Sequence, residues 1–495
     1  MSNATESQSA GAAATTTTTE TSLLDQIVEE GRLARDAEAR VRNKDLVKEF
    51  IAQFLEGSMT LSRDSEAMIN ARIAHIDHLI SLQLNEVMHH PAFQKLEGSW
   101  RGLKYLLDHT ETGENLKIKV FNCSKRDLLR DLERASEFDQ SAMFKKVYEE
   151  EFGIFGGHPF GALIGDYEFG KGPEDIALLE KVSQVASAAH APFLTAANSS
   201  LFNLDSFTEL SAPRDLAKVF DTTEYAKWKS FRNSDDSRYV ALTLPHILMR
   251  DPYGKATRAV DEFDYEENVD GTDHSKYLWG NAAYALASRV TESFSRYNWC
   301  ATIRGVEGGG KVEGLTVHNF TTDEGDIAMK CPTEAAITDR REKELADLGF
   351  VPLVHCKNTD YAAFFSVQTA QKAKKYDTDA ATANARLSTN LSYILAVSRF
   401  AHYLKAMMRD KIGSAMDRSQ CQDFLNRWIS AYLSDPTASA DIKASRPLSE
   451  ARIDVMDVPG KPGAYRAVAF LKPHFQLDEL TVSMRLVADL PPPAA

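Results

Sequence analysis

Hydrophobic positions follow successive rhythms along the chain. From residue 44 to 109 they recur at helical spacing. Leu46, Val47, Phe50, Ile51, Phe54 and Leu55 form one stripe, and Met68, Ile69, Ile73, Ile76, Ile80, Leu84 and Val87 a second. Pro91 suits the first position of a third helix, because the N–H it lacks would be unpaired there anyway. Phe93, Leu96, Trp100, Leu103 and Leu107 share one side of that helix. Beyond residue 110 short apolar runs alternate with helical stretches. Strands are expected at 116–123, 160–164, 192–197, 239–244, 315–320, 350–355 and 361–367. Helices are expected after Ser124, which caps with Asp127 three residues on, and at 173–190, 275–297 and 334–348. The alternation predicts an α/β sheet with helices on its faces.

The polar stretch 370–383 reads as an exposed connection, and 385–433 as a long helix broken near Gly413. The last segment is strand and turn: 451–458, the turn Pro459-Gly460-Lys461-Pro462-Gly463, then 465–471 and 480–487. Leu480, Val482, Met484 and Leu486 alternate there with Thr481, Ser483, Arg485 and Val487, the period of a strand. At the other end, residues 1–21 are Ser, Thr, Ala and Gly with almost no large apolar side chain, a composition expected to be disordered. Ser22 then caps a short amphipathic helix with Asp25 at its third position. Leu23, Leu24, Ile27 and Val28 share one face, to be buried against the body or in a partner's groove. The predicted class is mixed α/β (α+β), divided as a tail (1–21), a helical region (22–110), a central α/β domain (111–330) and a C-terminal domain (331–495).

Composition narrows the function. Hydrophobic residues make up 43% and charged residues 26%, enough for a normal core, and the net charge is -14. That sign disfavours nucleic acid and anionic lipid as partners, since both need a local surplus of Lys and Arg. No stretch reaches the ~18–20 apolar residues of a membrane span, and the first residues lack the basic and apolar regions of a secretory signal. Cys123, Cys300, Cys331, Cys356 and Cys421 are scattered, without a CxxC pair. They read as reduced, mostly buried thiols of a cytoplasmic protein.

Candidate chemistry is thin. Gly305-Val306-Glu307-Gly308-Gly309-Gly310-Lys311 imitates a phosphate loop, but Val312 stands where a magnesium-binding hydroxyl is required, and a strand follows instead of a helix. It reads as a glycine-rich turn, as do Gly156, Gly157, Gly161 and Gly165. His75 and His78 share a helix face without a third ligand, which reads as a solvated face. No HExxH or GxSxG is present. The expectation is no catalytic residue, no metal and no cofactor; an enzyme whose triad comes from distant segments would leave no local trace.

Several segments together carry a resemblance. They are SWRGLK at 99–104, YLWGNAAYALASR at 277–289, YNWC at 297–300, PTEAAITDRREKELADLGFVPL at 332–353, DYAAFFSVQ at 360–368, SRFAHYLKAMMRDKIG at 398–413 and RPLSEARIDVMDVPGKPGAYR at 446–466, closing on Pro473-His474. In order and over nearly the whole chain, this resembles the large subunit of the contractile sheath of the bacterial type VI secretion system. The resemblance implies a structural protein and not an enzyme, with a C-terminal part like the sheath of contractile phage tails that ends in exchangeable strands. It implies a heterodimer with a small sheath subunit, and further copies stacked as a six-fold helical sheath around an inner tube of hexameric rings. A baseplate starts that assembly, and an AAA+ ATPase dismantles it after contraction. It places the ATPase's recognition helix at Ser22, Leu23, Leu24, Asp25, Ile27 and Val28. It places an inter-subunit strand at Leu480, Thr481, Val482, Ser483, Met484, Arg485 and Leu486, and extends that role to 465–471; an ordinary intramolecular strand is the alternative. The basic stretch 385–413, with Arg386, Arg399, Lys405, Arg409 and Lys411, faces either the tube or solvent. A sheath subunit of another phage-tail-like particle, or a soluble enzyme, are the rival readings.

Overall fold

The computed structural model describes residues 37–55 and 65–476, apart from 213, 262, 323, 462 and 475. The chain divides into two compact units, residues 1–79 and 80–495. In the first lie helix α1 (Ala37–Leu55) and the start of α2 (Ser65–Met88). The apolar stripes read there are open: Leu46, Ile51, Ile69, Ile73 and Ile76 are all exposed. His75 and His78 are exposed too.

The second unit is built on a six-stranded sheet. Its strands are β1 (Leu163–Phe169), β2 (Phe193–Ala197), β3 (Val240–Leu244), β4 (Lys311–Val312), β5 (Val351–His355) and β6 (Ala362–Phe364), in the order β1-β2-β3-β5-β6-β4. The first four in space are parallel, and β6 and β4 close the far end antiparallel. Strands β2 and β3 are buried at every position, as a sheet covered on both faces requires. Helix α5 (Pro173–Ala189) packs on one face with α4 (Lys125–Arg134), and α7 (Ala283–Tyr297) with α3 (Pro91–Asp108) on the other. Neighbouring residues take opposite cores: Phe193 enters the first and Leu194 the second. The first core is aromatic. Phe350 stacks on Trp228 (5.9 Å between ring centroids), a tryptophan carried by α6 (Ala226–Asn233), and Phe202 and Phe220 pack around the pair. The sheet draws β4 from before residue 330 and β5 and β6 from after it, so the expected domain boundary at 330 cuts through a single sheet.

A third core lies towards the C-terminus. Phe400 of α10 (Leu391–Asp410) stacks on Trp299, and Leu425 and Ile429 of α11 (Arg418–Ser430) meet Leu448, Ile453 and Val455. The last three belong to a hairpin of β7 (Leu448–Asp457) and β8 (Tyr465–Pro473), whose turn uses the left-handed Gly460 and Gly463.

Several expectations need correction. The 116–123 segment forms no strand, and β1 starts later and runs longer than 160–164. Helix α7 begins only at Ala283, because Trp279–Gly280 pairs with Ile247–Leu248 ahead of it. Of 315–320 only Asn319 and Phe320 are strand, in the short strand Asn319–Thr321, and α8 spans Asp339–Asp347. The 385–433 stretch is three helices: α9 (Asp379–Leu387), which starts in the expected connection, α10 and α11. Four of the five cysteines are half-exposed, and only Cys421 is buried. On α3 the outward side carries Leu96, Trp100 and Leu107, while the buried side is Gly98, Gly102 and Leu106. Two glycines let the helix approach closely. A Cβ on Gly102 would stand 2.3 Å from the Tyr284 ring. Gly102→Val is therefore expected to destabilise the protein by about 1–3 kcal/mol, read as a lower urea midpoint at unchanged slope.

Candidate functional site

Open α/β sheets place ligands beyond the carboxyl ends of their parallel strands. Here Glu168 ends β1, Asn198 follows β2 and His246 follows β3. His246 bonds through both ring nitrogens, Nδ1 to Glu334 and Nε2 to Glu168 Oε1 at 3.0 Å. Asn198 donates to Glu168 at 2.6 Å, Ser206 donates to Glu334 at 3.0 Å, and His274 stands 3.6 Å from Glu334. Burial alone would lower the His246 pKa, but the hydrogen bonds to two carboxylates raise it to about 10. Burial likewise opposes ionisation of Glu168 and Glu334, yet the bonds to His246 hold both below their usual value. An imidazolium donating from both nitrogens has no lone pair to act as a base. The place where an enzyme of this class would bind substrate is a cross-brace joining strand ends.

A second ion network orients α3. Arg250 and Glu267 form a buried two-pronged pair at 2.6 and 3.0 Å, and Arg250 Nε also reaches Glu97 at 2.8 Å. Glu97 takes Arg101 at 2.7 Å, and His89 lies 3.2 Å from Glu267. The helix is thereby fixed with its apolar outer face towards solvent, and Trp100 is 66% exposed. Large apolar side chains held outward on a rigid helix are the mark of an interface.

The hairpin presents a third feature. Asn426 on α11 donates to Ile453 O at 2.8 Å and accepts from Ile453 N at 2.9 Å, and Gln422 accepts from Val455 N at 3.2 Å. These amide side chains stand in for a neighbouring strand and close the outer edge of β7. Ile453 and Val455 therefore sit in non-hydrogen-bonded pairs with β8, opposite Ala469 and Ala467. By the same alternation Ala467, Ala469 and Leu471 turn their own N–H and C=O away from β7. Among the described residues these groups have no partner, so β8 is an open edge.

The glycine-rich turn behaves as read. Gly305 N donates to Phe364 O and Gly310 N to Gly305 O, which folds the loop on its own backbone beside β4. Two of the basic side chains of α10 are half-buried and engaged within the chain. Lys405 lies over the Phe152 ring at 3.5 Å, and Arg409 donates to Phe152 O and Ile154 O. Both bind the stretch 148–155, a contact that charge patterning alone did not disclose. The expected recognition helix (Ser22 to Val28) and exchange strand (Leu480 to Leu486) lie outside the described residues. Among the described residues no group of three His, Cys, Asp or Glu is arranged to hold a metal, and no helix is long and apolar enough to cross a membrane.

Residues 70–371 match the EvpB/VC_A0108 tail sheath N-terminal domain, and residues 380–490 match the EvpB/VC_A0108 tail sheath gpW/gp25-like domain. The chain belongs to the EvpB/VC_A0108 tail sheath family. The chain is also 50% identical over 457 residues, 92% of each protein, to the type VI secretion system sheath protein TssC1 of Pseudomonas aeruginosa. Among solved structures, the baseplate of the anti-feeding prophage covers 76% of the chain at 8% identity and a TM-score of 0.38, with 84% of its own length covered. Its contracted helical sheath covers 62% at 11% identity and a TM-score of 0.31, with 66% covered. Both likenesses are too weak to bear on the assignment. The resemblance read from seven scattered segments is thus borne out for the tail sheath family, and the two matched domains meet between residues 371 and 380, inside the polar connection.

The His246 brace has a defined pH signature. Its raised pKa contributes stability that is fully present below 6.5 and lost as pH rises through about 10. The depressed carboxylates contribute stability present above 4.5 and lost as pH falls through their lowered values. His246→Gln is expected to cost about 1.5–3 kcal/mol at pH 5–6 in chemical denaturation, with the deficit shrinking towards pH 10.

Proposed function

We propose that this chain is the large structural subunit of a contractile type VI secretion sheath. It pairs with a small sheath subunit in the bacterial cytoplasm, and the pairs polymerise from a baseplate around an inner tube of hexameric rings. Contraction drives tube and spike out of the cell, and an AAA+ ATPase recycles the contracted form. The chain performs no catalysis. Work comes from two packings of the same subunits, the contracted one lower in free energy.

The observation that carries this reading is the hairpin with one closed and one open edge. Subunits that slide past one another must stay joined, and a strand added to β8 gives a joint of backbone hydrogen bonds that outlasts changes in side-chain contacts. Residues 480–486 supply the exchanged strand. The rigid sheet core and the outward Trp100 face support the same reading, since a sheath needs stiff bodies with apolar surfaces to bury.

Two measurements test it. Ala469→Pro removes an outward N–H of β8 without touching its ladder to β7. The variant is expected to fold and bind the small subunit, yet to form no cylinders in negative-stain images of the co-expressed pair; cylinders of normal length would refute the exchange. The residue pair Leu24→Asp plus Ile27→Asp is expected to abolish capture by the ATPase's N-terminal domain while leaving sheath assembly intact. Unchanged capture in a pull-down would remove the recognition helix from this account.

A further inference from the structure

A cavity of about 640 Å3 opens between the free edge of β1 and the extended stretch 116–121. The edge is defined by its hydrogen bonds. Leu163 N donates to Pro192 O at 2.8 Å, and Thr195 Oγ1 donates to Gly165 O at 2.9 Å and Tyr167 O at 2.8 Å. Odd-numbered residues therefore address β2 on both sides of a register irregularity between Ile164 and Glu168, and alternation ahead of it turns the backbone groups of Ala162 and Ile164 outwards. Glu168 O, beyond the irregularity, is taken by Lys125 Nζ at 2.5 Å. The others have no backbone partner among the described residues.

The opposite wall has the sequence of a strand without its ladder. Leu116, Ile118 and Val120 alternate with Lys117, Lys119 and Phe121, the pattern that predicted a strand at 116–123. The backbone of 117–122 bonds to no other described segment. The wall is nevertheless pinned: Tyr167 Oη donates to Cys123 O at 2.6 Å, and Lys119 pairs with Glu151. Val120 and Phe121 stay exposed. The cavity is lined by Leu106, Leu194, Val290 and Phe294, and by Arg399, whose Nε is buried without a partner. Lys117 on the other wall has no carboxylate partner among the described residues.

We infer that this cleft receives one extended strand of a second polypeptide, which pairs with β1 on one side and with 116–121 on the other. Its alternate residues are apolar, over Val290 and Phe294, and it carries carboxylates for Arg399 and Lys117. Main-chain bonds on both sides supply affinity, and the pockets beneath supply register. Placing that strand in the small sheath subunit rests on the pairing proposed above.

Hydrogen–deuterium exchange on the full chain, alone and in its co-purified complex with the small subunit, tests this. Amides of 117–122 and of Ala162 and Ile164 are expected to slow at least tenfold in the complex. Ile164→Pro, which removes an outward N–H, and Arg399→Gln, which leaves the backbone alone, are each expected to weaken co-purification tenfold or more. Ile327→Asp, at an exposed position elsewhere, is expected to leave it unchanged. A complex whose walls exchange as fast as in the free chain overturns the inference while the pairing stands. Absence of any complex overturns the pairing itself. Protection that arises only in assembled cylinders assigns the cleft to a second copy of this chain. Protection already present in the free chain, and lost on deleting 477–495, assigns it to the chain's own tail; either result refutes the inference.

Discussion

An unpaired backbone N–H or C=O costs about 1–3 kcal/mol when it is buried, so every strand edge must be paired, covered or left to water. This constraint organises the protein. The central sheet ends on one side in β4, two residues long beside a folded glycine loop, and on the other in β1, seven residues long, where Ala162 and Ile164 have no outward backbone partner among the described residues. The hairpin repeats the asymmetry: β7 is closed by Asn426 and Gln422, and β8 is not. Among the described residues each of these sheets thus has one finished and one unfinished side.

The interior between those edges is made stiff. Phe350 and Trp228 stack within the first core, Phe400 and Trp299 within the third, and ion networks at His246 and Arg250 fix strand ends and the tilt of α3. A buried pair such as Arg250–Glu267 adds little net stability over an apolar replacement, but losing one partner is severe, so it specifies one arrangement. That rigidity lets a displacement at one surface reach another undamped. Softness inside the body would absorb it.

The sequence showed the order of the fold more clearly than its boundaries. Helix α5, strands β2, β3 and β5 and the C-terminal hairpin were legible because each has an unbroken periodicity with turn or cap residues at its ends. The stretch 116–121 was misread for a physical reason: its alternation is that of a strand, but a ladder needs a paired neighbour, and no described segment pairs with it. The direction of the apolar side of α3 was not legible, because apolar residues mark a face without saying which way it turns; Gly98 and Gly102 were the sign of the inner side. The His246 brace left no trace at all, since Glu168, His246 and Glu334 are far apart in the chain and meet only through the parallel sheet. The inward binding of Lys405 and Arg409 was hidden in the same way, by partners 257 residues distant.

The amide groups of α11 bear on a hazard common to β-rich assemblies. A ribbon open on both flanks is a template for endless stacking into fibrils. With Asn426 occupying one flank, any neighbour of this ribbon can join on the other flank only, and the stacking would stop after a single addition.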